Sequence, residues 1–255
     1  MKGVLICGGV GSRLRPLTDI TNKSLLPVYN KPLVCYSLQV LLDAGIREIA
    51  VITGPEHIDQ MTSFLGNGSR FGCTFAFKVQ EKPRGIAQAL GLTEEFADSD
   101  DICAILGDNV YFDDIIPTIR AFKRGGHIFL KEVPDPERFG VATVEDGRVT
   151  DLKEKPEQPK SNLALTGCYL FDARCFGVIK TLQPSWRNEF EITDVCTWYL
   201  ENSELTATTL KDEWVDAGTF ESLFRAAELV RRRALHAHEG GTSSLGFPPP
   251  SSTIC

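Results

Sequence analysis

Val4-Leu5-Ile6-Cys7-Gly8-Gly9-Val10-Gly11-Ser12-Arg13-Leu14-Arg15-Pro16-Leu17 carries a short apolar run straight into a glycine-rich turn. Runs of the same kind, β-prone and bounded by Gly, Pro or Asp, recur at Ile49 to Thr53, Phe75 to Val79 and Ile102 to Leu106. Between the first two, Val34, Leu38, Leu41 and Leu42 repeat at helical spacing within Pro32 to Ala44. Pro32 suits a first helical turn and Gly45 a C-terminal cap. Ile58, Met61 and Leu65 mark a second helix, and Ile115, Ile119 and Phe122 a third. Strands alternating with helices predict an α/β fold, a Rossmann-like, mostly parallel mixed sheet flanked by helices. The ligand crevice of such a sheet lies at the carboxyl ends of its strands, where the glycine turn falls.

From about residue 127 the pattern changes to shorter pieces, such as Val141 to Val144 and Cys168 to Phe171, which predict a smaller β portion. Helical spacing returns at Ile192, Val195 and Tyr199. A last helix is expected over 219–238, with Phe220, Leu223, Phe224, Ala227 and Val230 on one face. The expected organisation is one domain over 1–238, with a glycine-loop half at about 1–126, a second half at about 127–218 and the terminal helix at about 219–238. The segment 239–255 is rich in Gly, Ser, Thr and Pro and is expected to stay disordered.

The chain has 255 residues, with 27 Lys and Arg against 34 Asp and Glu for a net charge of −7. That balance disfavours nucleic-acid or anionic-membrane partners, which need basic surface. No apolar run approaches the roughly 18 residues of a membrane span, and the run before Gly8 is too short for a signal-peptide core. The eight cysteines are irregularly spaced without a CxxC pair. Buried free thiols, and a cytoplasmic location, are the expectation.

A glycine turn after a strand lets backbone amides approach an anion. The dinucleotide fingerprint GxGxxG fails, because Leu14 stands where its third glycine belongs. The Walker pattern also fails, because Lys23-Ser24 follows Asn22 without the glycine frame. Arg13 inside the turn and Lys23 ten residues on supply the two cations a polyphosphate needs. Asp108 and Asp216 each end an apolar stretch, so both carboxylates are expected in the crevice. An Asp beside Gly and Asn is otherwise a turn former. The histidines show no metal-ligand spacing with cysteine, a helix start ahead of Ile192 accounts for Glu189 and Glu191, and Arg231-Arg232-Arg233 reads as a solvated helix end.

GGxGxRLxPLT followed by NKSLLP resembles the signature of the sugar-1-phosphate nucleotidylyltransferases, most closely the glucose-1-phosphate thymidylyltransferase branch. The likeness runs from residue 1 to about 230. It continues in order through Val79-Gln80-Glu81-Lys82-Pro83-Arg84-Gly85-Ile86-Ala87-Gln88-Ala89, Leu106-Gly107-Asp108-Asn109, Phe139-Gly140-Val141, Glu154-Lys155-Pro156, Glu191-Ile192-Thr193-Asp194 and Trp214-Val215-Asp216-Ala217-Gly218-Thr219. Each piece is short, but the ordered set is specific.

That resemblance implies attack by a sugar 1-phosphate oxygen on the α-phosphorus of a nucleoside triphosphate, with pyrophosphate leaving. The implied substrates are dTTP or UTP and glucose 1-phosphate. It implies Mg²⁺ held by Asp108 and Asp216, and catalytic roles for Arg13, Lys23 and Asp108. Arg13 would stabilise pyrophosphate and Lys23 would assist at the α-phosphate. Gly8, Gly9, Gly11, Ser12, Arg13, Gln80, Gly85 and Asp108 would bind nucleotide, Gln80 reading the pyrimidine edge. Gly140, Glu154, Lys155 and Trp214 would bind the sugar phosphate, Lys155 at the phosphate and Glu154 at the hydroxyls. A homo-oligomer is the family expectation.

Two departures stand out. Cys7 occupies a position where many relatives carry alanine, and the chain has one terminal helix where such enzymes commonly add helices bearing tetramer contacts and a second nucleotide site. An enzyme without feedback through that site is the expectation. The competing readings are a non-catalytic sugar-nucleotide-binding regulator, which predicts loss of Arg13, Lys23, Asp108 or Asp216, and a Rossmann oxidoreductase, opposed by Leu14. All four charged residues are present.

Overall fold

The computed structural model describes residues 1–239, so the segment from 240 onward, and the disorder expected of it, lies outside the described residues. In chain order the elements of the first part are β1 (Lys2–Cys7), β2 (Pro27–Val28), β3 (Lys31–Pro32), α1 (Val34–Asp43), β4 (Glu48–Thr53), α2 (Ile58–Leu65), β5 (Thr74–Val79), α3 (Ile86–Gly91), α4 (Glu94–Ala97), β6 (Ile102–Leu106), β7 (Asn109–Tyr111) and α5 (Ile116–Ala121). There follow β8 (Gly126–Glu132), β9 (Gly140–Glu145), β10 (Arg148–Glu154), β11 (Leu163–Phe171), α6 (Arg174–Ile179), α7 (Ile192–Glu201), β12 (Leu205–Thr209), β13 (Trp214–Asp216) and α8 (Phe220–Glu239).

One nine-stranded sheet organises the molecule, in the order β10-β9-β11-β6-β1-β4-β5, with β8 and β12 joined on through β11. The strands β6, β1, β4 and β5 run parallel, as the βα alternation predicts, and β11 crosses to antiparallel pairing with β6. Val4, Leu5, Val51, Ile52, Ile102 and Ile105 are fully buried because helices cover both faces of these strands. The seven described cysteines are all buried and free. Among the described residues no helix is long and apolar enough to cross a membrane.

Two readings need correction. Helix α1 begins at Val34, not Pro32, because Pro32 pairs with Pro27 in the short β2–β3 ribbon. Gly45 still ends it, at φ +90°. On α8 the buried stripe is Ala226 and Val230, packed with Val28, Leu33, Val110 and Val215, while Phe220 and Phe224 face outward at 47% and 65% exposure. The predicted stripe mixed two adjoining faces of one helix.

Candidate active site

Three loops leave the parallel strands on one edge of the sheet and bring the site together. The glycine turn follows β1, Gln80 follows β5 and Asp108 follows β6. In the turn, Gly11 takes φ +59°, and a Cβ there would stand 2.7 Å from Thr18 Cγ2. Gly11 O accepts a hydrogen bond from Thr18 Oγ1 at 2.9 Å. Ser12, Arg13 and Leu14 then form a 3-10 turn in which Leu14 is buried and Ser12 is exposed. Gly8 and Gly9 line one cavity and Arg13 lines another that adjoins it.

Asn22 explains how Lys23 is placed. Its side chain, 1% exposed, donates to Cys7 O at 2.9 Å and to Thr53 Oγ1 at 3.3 Å. It also accepts from Ser24 N at 2.8 Å, capping the turn that carries Lys23. Lys23 is thereby pinned to the ends of β1 and β4, and its Nζ donates to Asp108 Oδ2.

Asp108 and Asp216 come together through strand register. The β13–β7 ribbon pairs Asp216 with Asn109, and Ala217 N donates to Asp108 O at 2.9 Å. A Cβ at Gly218 would stand 2.9 Å from Arg13 Nη2 and 3.3 Å from both Asp216 oxygens, so Gly218 leaves space for that approach. Burial and the neighbouring Asp108 push the Asp216 carboxyl up to about 6, against the pull of Lys23, Arg13 and Arg138. Burial also opposes the charges on Asp108 and Lys23. Their mutual pairing outweighs it, so the Asp108 carboxyl is lowered and the Lys23 ammonium raised. Among the described residues no group of three or more His, Cys, Asp and Glu could hold a metal. Two hard carboxylates would suit Mg²⁺, a cation that takes one or two carboxylates along with phosphate and water, and Lys23 shows that one of them already accepts a cation. The donor set fits that ion.

Gly140, Glu154, Lys155 and Trp214, the residues expected at the sugar phosphate, line one cavity of 540 Å³ together with Arg13, Asp108 and Asp216. Gly140 is small by necessity, since a Cβ there would stand 2.9 Å from Thr193 Oγ1 and 3.3 Å from Glu154 Oε2. Lys155 takes φ +40° and donates its backbone N–H to Phe139 O at 3.0 Å. Arg187, Glu189, Glu191 and Thr193 line the same cavity; the sequence offers Glu191 and Thr193 only as members of a motif without a role and Glu189 only as a helix start, and it does not single out Arg187. Arg187 Nη1 donates to Glu154 Oε1 at 3.2 Å and its Nη2 to Glu189 Oε2 at 2.7 Å. Thr193 Oγ1 donates to Glu154 Oε2. The reading of Glu189 and Glu191 as a mere helix start is therefore too small. Glu191 precedes α7 but accepts from Ser185 Oγ at 2.7 Å and pairs with Arg187.

A second cavity, 240 Å³, is lined by Gly8, Gly9, Lys23, Gln80, Gly85 and Asp108. It shares Ile86, Leu106, Asp108 and Glu189 with the larger one. Gly11 and Ser12 line neither cavity and belong to the turn that shapes the first. The site is thus two adjoining chambers. Cations and carboxylates are concentrated where they meet, an arrangement suited to transfer between two bound polyanionic or phosphorylated molecules.

Residues 2–233 match the family described as Nucleotidyl transferase. The chain is 43% identical over 238 residues to a glucose-1-phosphate thymidylyltransferase of Neisseria meningitidis, covering 91% of this chain and 83% of that one. It is 40% identical over 237 residues to the glucose-1-phosphate thymidylyltransferase of Mycolicibacterium smegmatis, covering 91% and 82%. A crystal structure of a protein from Bacillus anthracis, assigned as a glucose-1-phosphate thymidylyltransferase and in complex with sucrose, superposes with a TM-score of 0.87. That pair is 47% identical, with 91% of this chain and 95% of the other covered.

Proposed function

The chain belongs to the nucleotidyl transferase family and is an enzyme of nucleotidyl transfer, and we propose that it joins dTTP or UTP to glucose 1-phosphate, giving dTDP-glucose or UDP-glucose and pyrophosphate. The observation that carries this reading is the meeting of the two chambers at Asp108. The smaller takes the base, and the larger takes the sugar phosphate.

In this reading the sugar phosphate oxygen attacks the α-phosphorus and pyrophosphate departs in line, with no covalent protein intermediate. Rate comes from holding the two substrates in reach and neutralising charge. Lys23, held by Asn22, is positioned for the α-phosphate, and Arg13 for the departing pyrophosphate. Asp108 and Asp216 would hold Mg²⁺, which when bound neutralises triphosphate charge. Lys155 holds the sugar phosphate. Glu154, braced by Arg187 and Thr193, accepts hydrogen bonds from sugar hydroxyls. Gly140 keeps the wall free of a side chain, and buried Trp214 closes that end.

Pyrophosphate release with Mg²⁺ and glucose 1-phosphate, run across dTTP, UTP, CTP, ATP and GTP, tests the reading. Turnover with dTTP or UTP that falls at least ~100-fold in Asp108→Asn is expected from loss of a charged group at the reacting phosphate. Equal turnover in the variant, or release with purine nucleotides only, would overturn it.

A further inference from the structure

Gln80 is 5% exposed and its amide nitrogen is engaged twice. Nε2 donates to Gly85 O at 3.2 Å and to Gln88 Oε1 at 2.5 Å. A backbone carbonyl only accepts, so Gly85 fixes which end of the Gln80 amide faces it, and Gln88 must then present its own oxygen. Gln80 Oε1 accepts no hydrogen bond from any described residue. It lies 2.8 Å from where a Cβ on Gly8 would stand, on the wall of the smaller cavity. The atom that faces an incoming base is therefore an acceptor, held from behind. Gln88 sits on α3 and is not among the residues lining that cavity, so it acts through Gln80.

We propose that Gln88 is a positioning residue for base choice, holding the Gln80 amide so that its oxygen selects pyrimidines whose N3 carries a hydrogen. The inference rests on the reading that the smaller cavity takes the base. Thymine and uracil donate from N3. Cytosine presents a lone pair there, which would face the lone pairs of Oε1. With Gln88 replaced by a side chain that cannot accept, one N–H of Gln80 loses its partner. Only the Gly85 contact then restrains the amide, which is free to turn a donor toward cytosine.

The experiment is the ratio of kcat/KM for dTTP and dCTP, with glucose 1-phosphate, in wild type, Gln88→Leu, Gln88→Ala and Gln88→Glu, alongside melting temperatures. Loss of one orienting hydrogen bond should lower the ratio about tenfold in the Leu and Ala variants, through KM for dTTP rather than kcat. Gln88→Glu keeps an acceptor and should keep the ratio within about threefold. A ratio unchanged in a folded Leu or Ala variant, or lost equally in the Glu variant, would overturn the role of Gln88 while leaving the proposed reaction intact. A wild type that turns over neither dTTP nor UTP overturns the reaction itself, and this role with it.

Discussion

Trp214 donates its indole N–H to Asn109 Oδ1 at 2.7 Å, linking the end wall of the larger cavity to the residue beside Asp108. The same oxygen accepts from Gly167 N at 3.2 Å, and Asn109 Nδ2 donates to Asp108 Oδ1 at 2.8 Å. Both donors reaching Asn109 are donor-only groups, so the amide has a single orientation. Asn109→Leu strands two buried donors and releases one Asp108 oxygen. It should cost about 3 kcal/mol in stability and at least ~10-fold in kcat. Denaturant unfolding and steady-state turnover measure the two, and a variant as stable and active as wild type would refute the coupling.

Asp216 makes ligand-free stability depend on pH. Burial and Asp108 hold its carboxyl at about 6 in the fold against an ordinary 3.8. A group raised on folding contributes stability below its unfolded value and loses that contribution as pH rises through the folded one. Asp216→Asn cannot ionise. Between about pH 4 and pH 7.5 the unfolding free energy of the variant should therefore gain on wild type by at most about 3 kcal/mol. Parallel curves for the two proteins would exclude the elevated carboxyl.

Gly140 is a test confined to the larger cavity. A methyl there meets Thr193 Oγ1 and Glu154 Oε2, the pair that shapes the wall. Gly140→Ala should raise KM for the sugar phosphate about tenfold, as expected for loss of a well-placed polar contact. KM for the nucleoside triphosphate should stay within about twofold. Equal effects on both would show that the two chambers do not bind separately.

Gly85 holds a different contact. It takes φ +96°, and a Cβ would stand 2.3 Å from Phe190 O. Phe190 N donates to Arg84 O and Ala87 N donates to Phe190 O, so the 84–87 turn and the segment bearing Glu189 and Glu191 are stitched together. Gly85→Ala should destabilise by at least about 2 kcal/mol and weaken both substrates. A melting temperature unchanged from wild type would contradict that stitching.

What the sequence disclosed, and what it withheld, follows from locality. The glycine turn, Gln80 and Asp108 each end an apolar strand, so their arrival on one edge of the sheet is readable from order alone. Glu154 and Trp214 were legible only as members of an ordered series of short motifs. Arg187 and Glu189 were not, because Arg187 meets Glu154 and Glu189 only after α7 and the segment preceding it dock beside β10. Glu191-Ile192-Thr193-Asp194 was in that series, yet a carboxylate ahead of a helix has an adequate local explanation, and local spacing carries no trace of Arg187. Phe220 and Phe224 misled for a similar reason: helical periodicity marks an apolar stripe but not which of its margins meets the core.

Strand β11 pairs with β8 along one side and, on the other, first with β9 at Leu163 and Ala164 and then with β6 from Cys168 to Phe171. Its β8 ladder is interrupted between Leu165 and Tyr169, where Gly167 meets Asn109. The same strand thus runs from beside the parallel strands that carry the glycine turn to beside the ribbon that ends in Glu154. Rotating one chamber away from the other as a rigid body would tear ladder bonds along β11. In the proposed reaction the gap between attacking oxygen and α-phosphorus would then be gauged by a length of backbone, and any opening that admits substrates would fall to the loops above it.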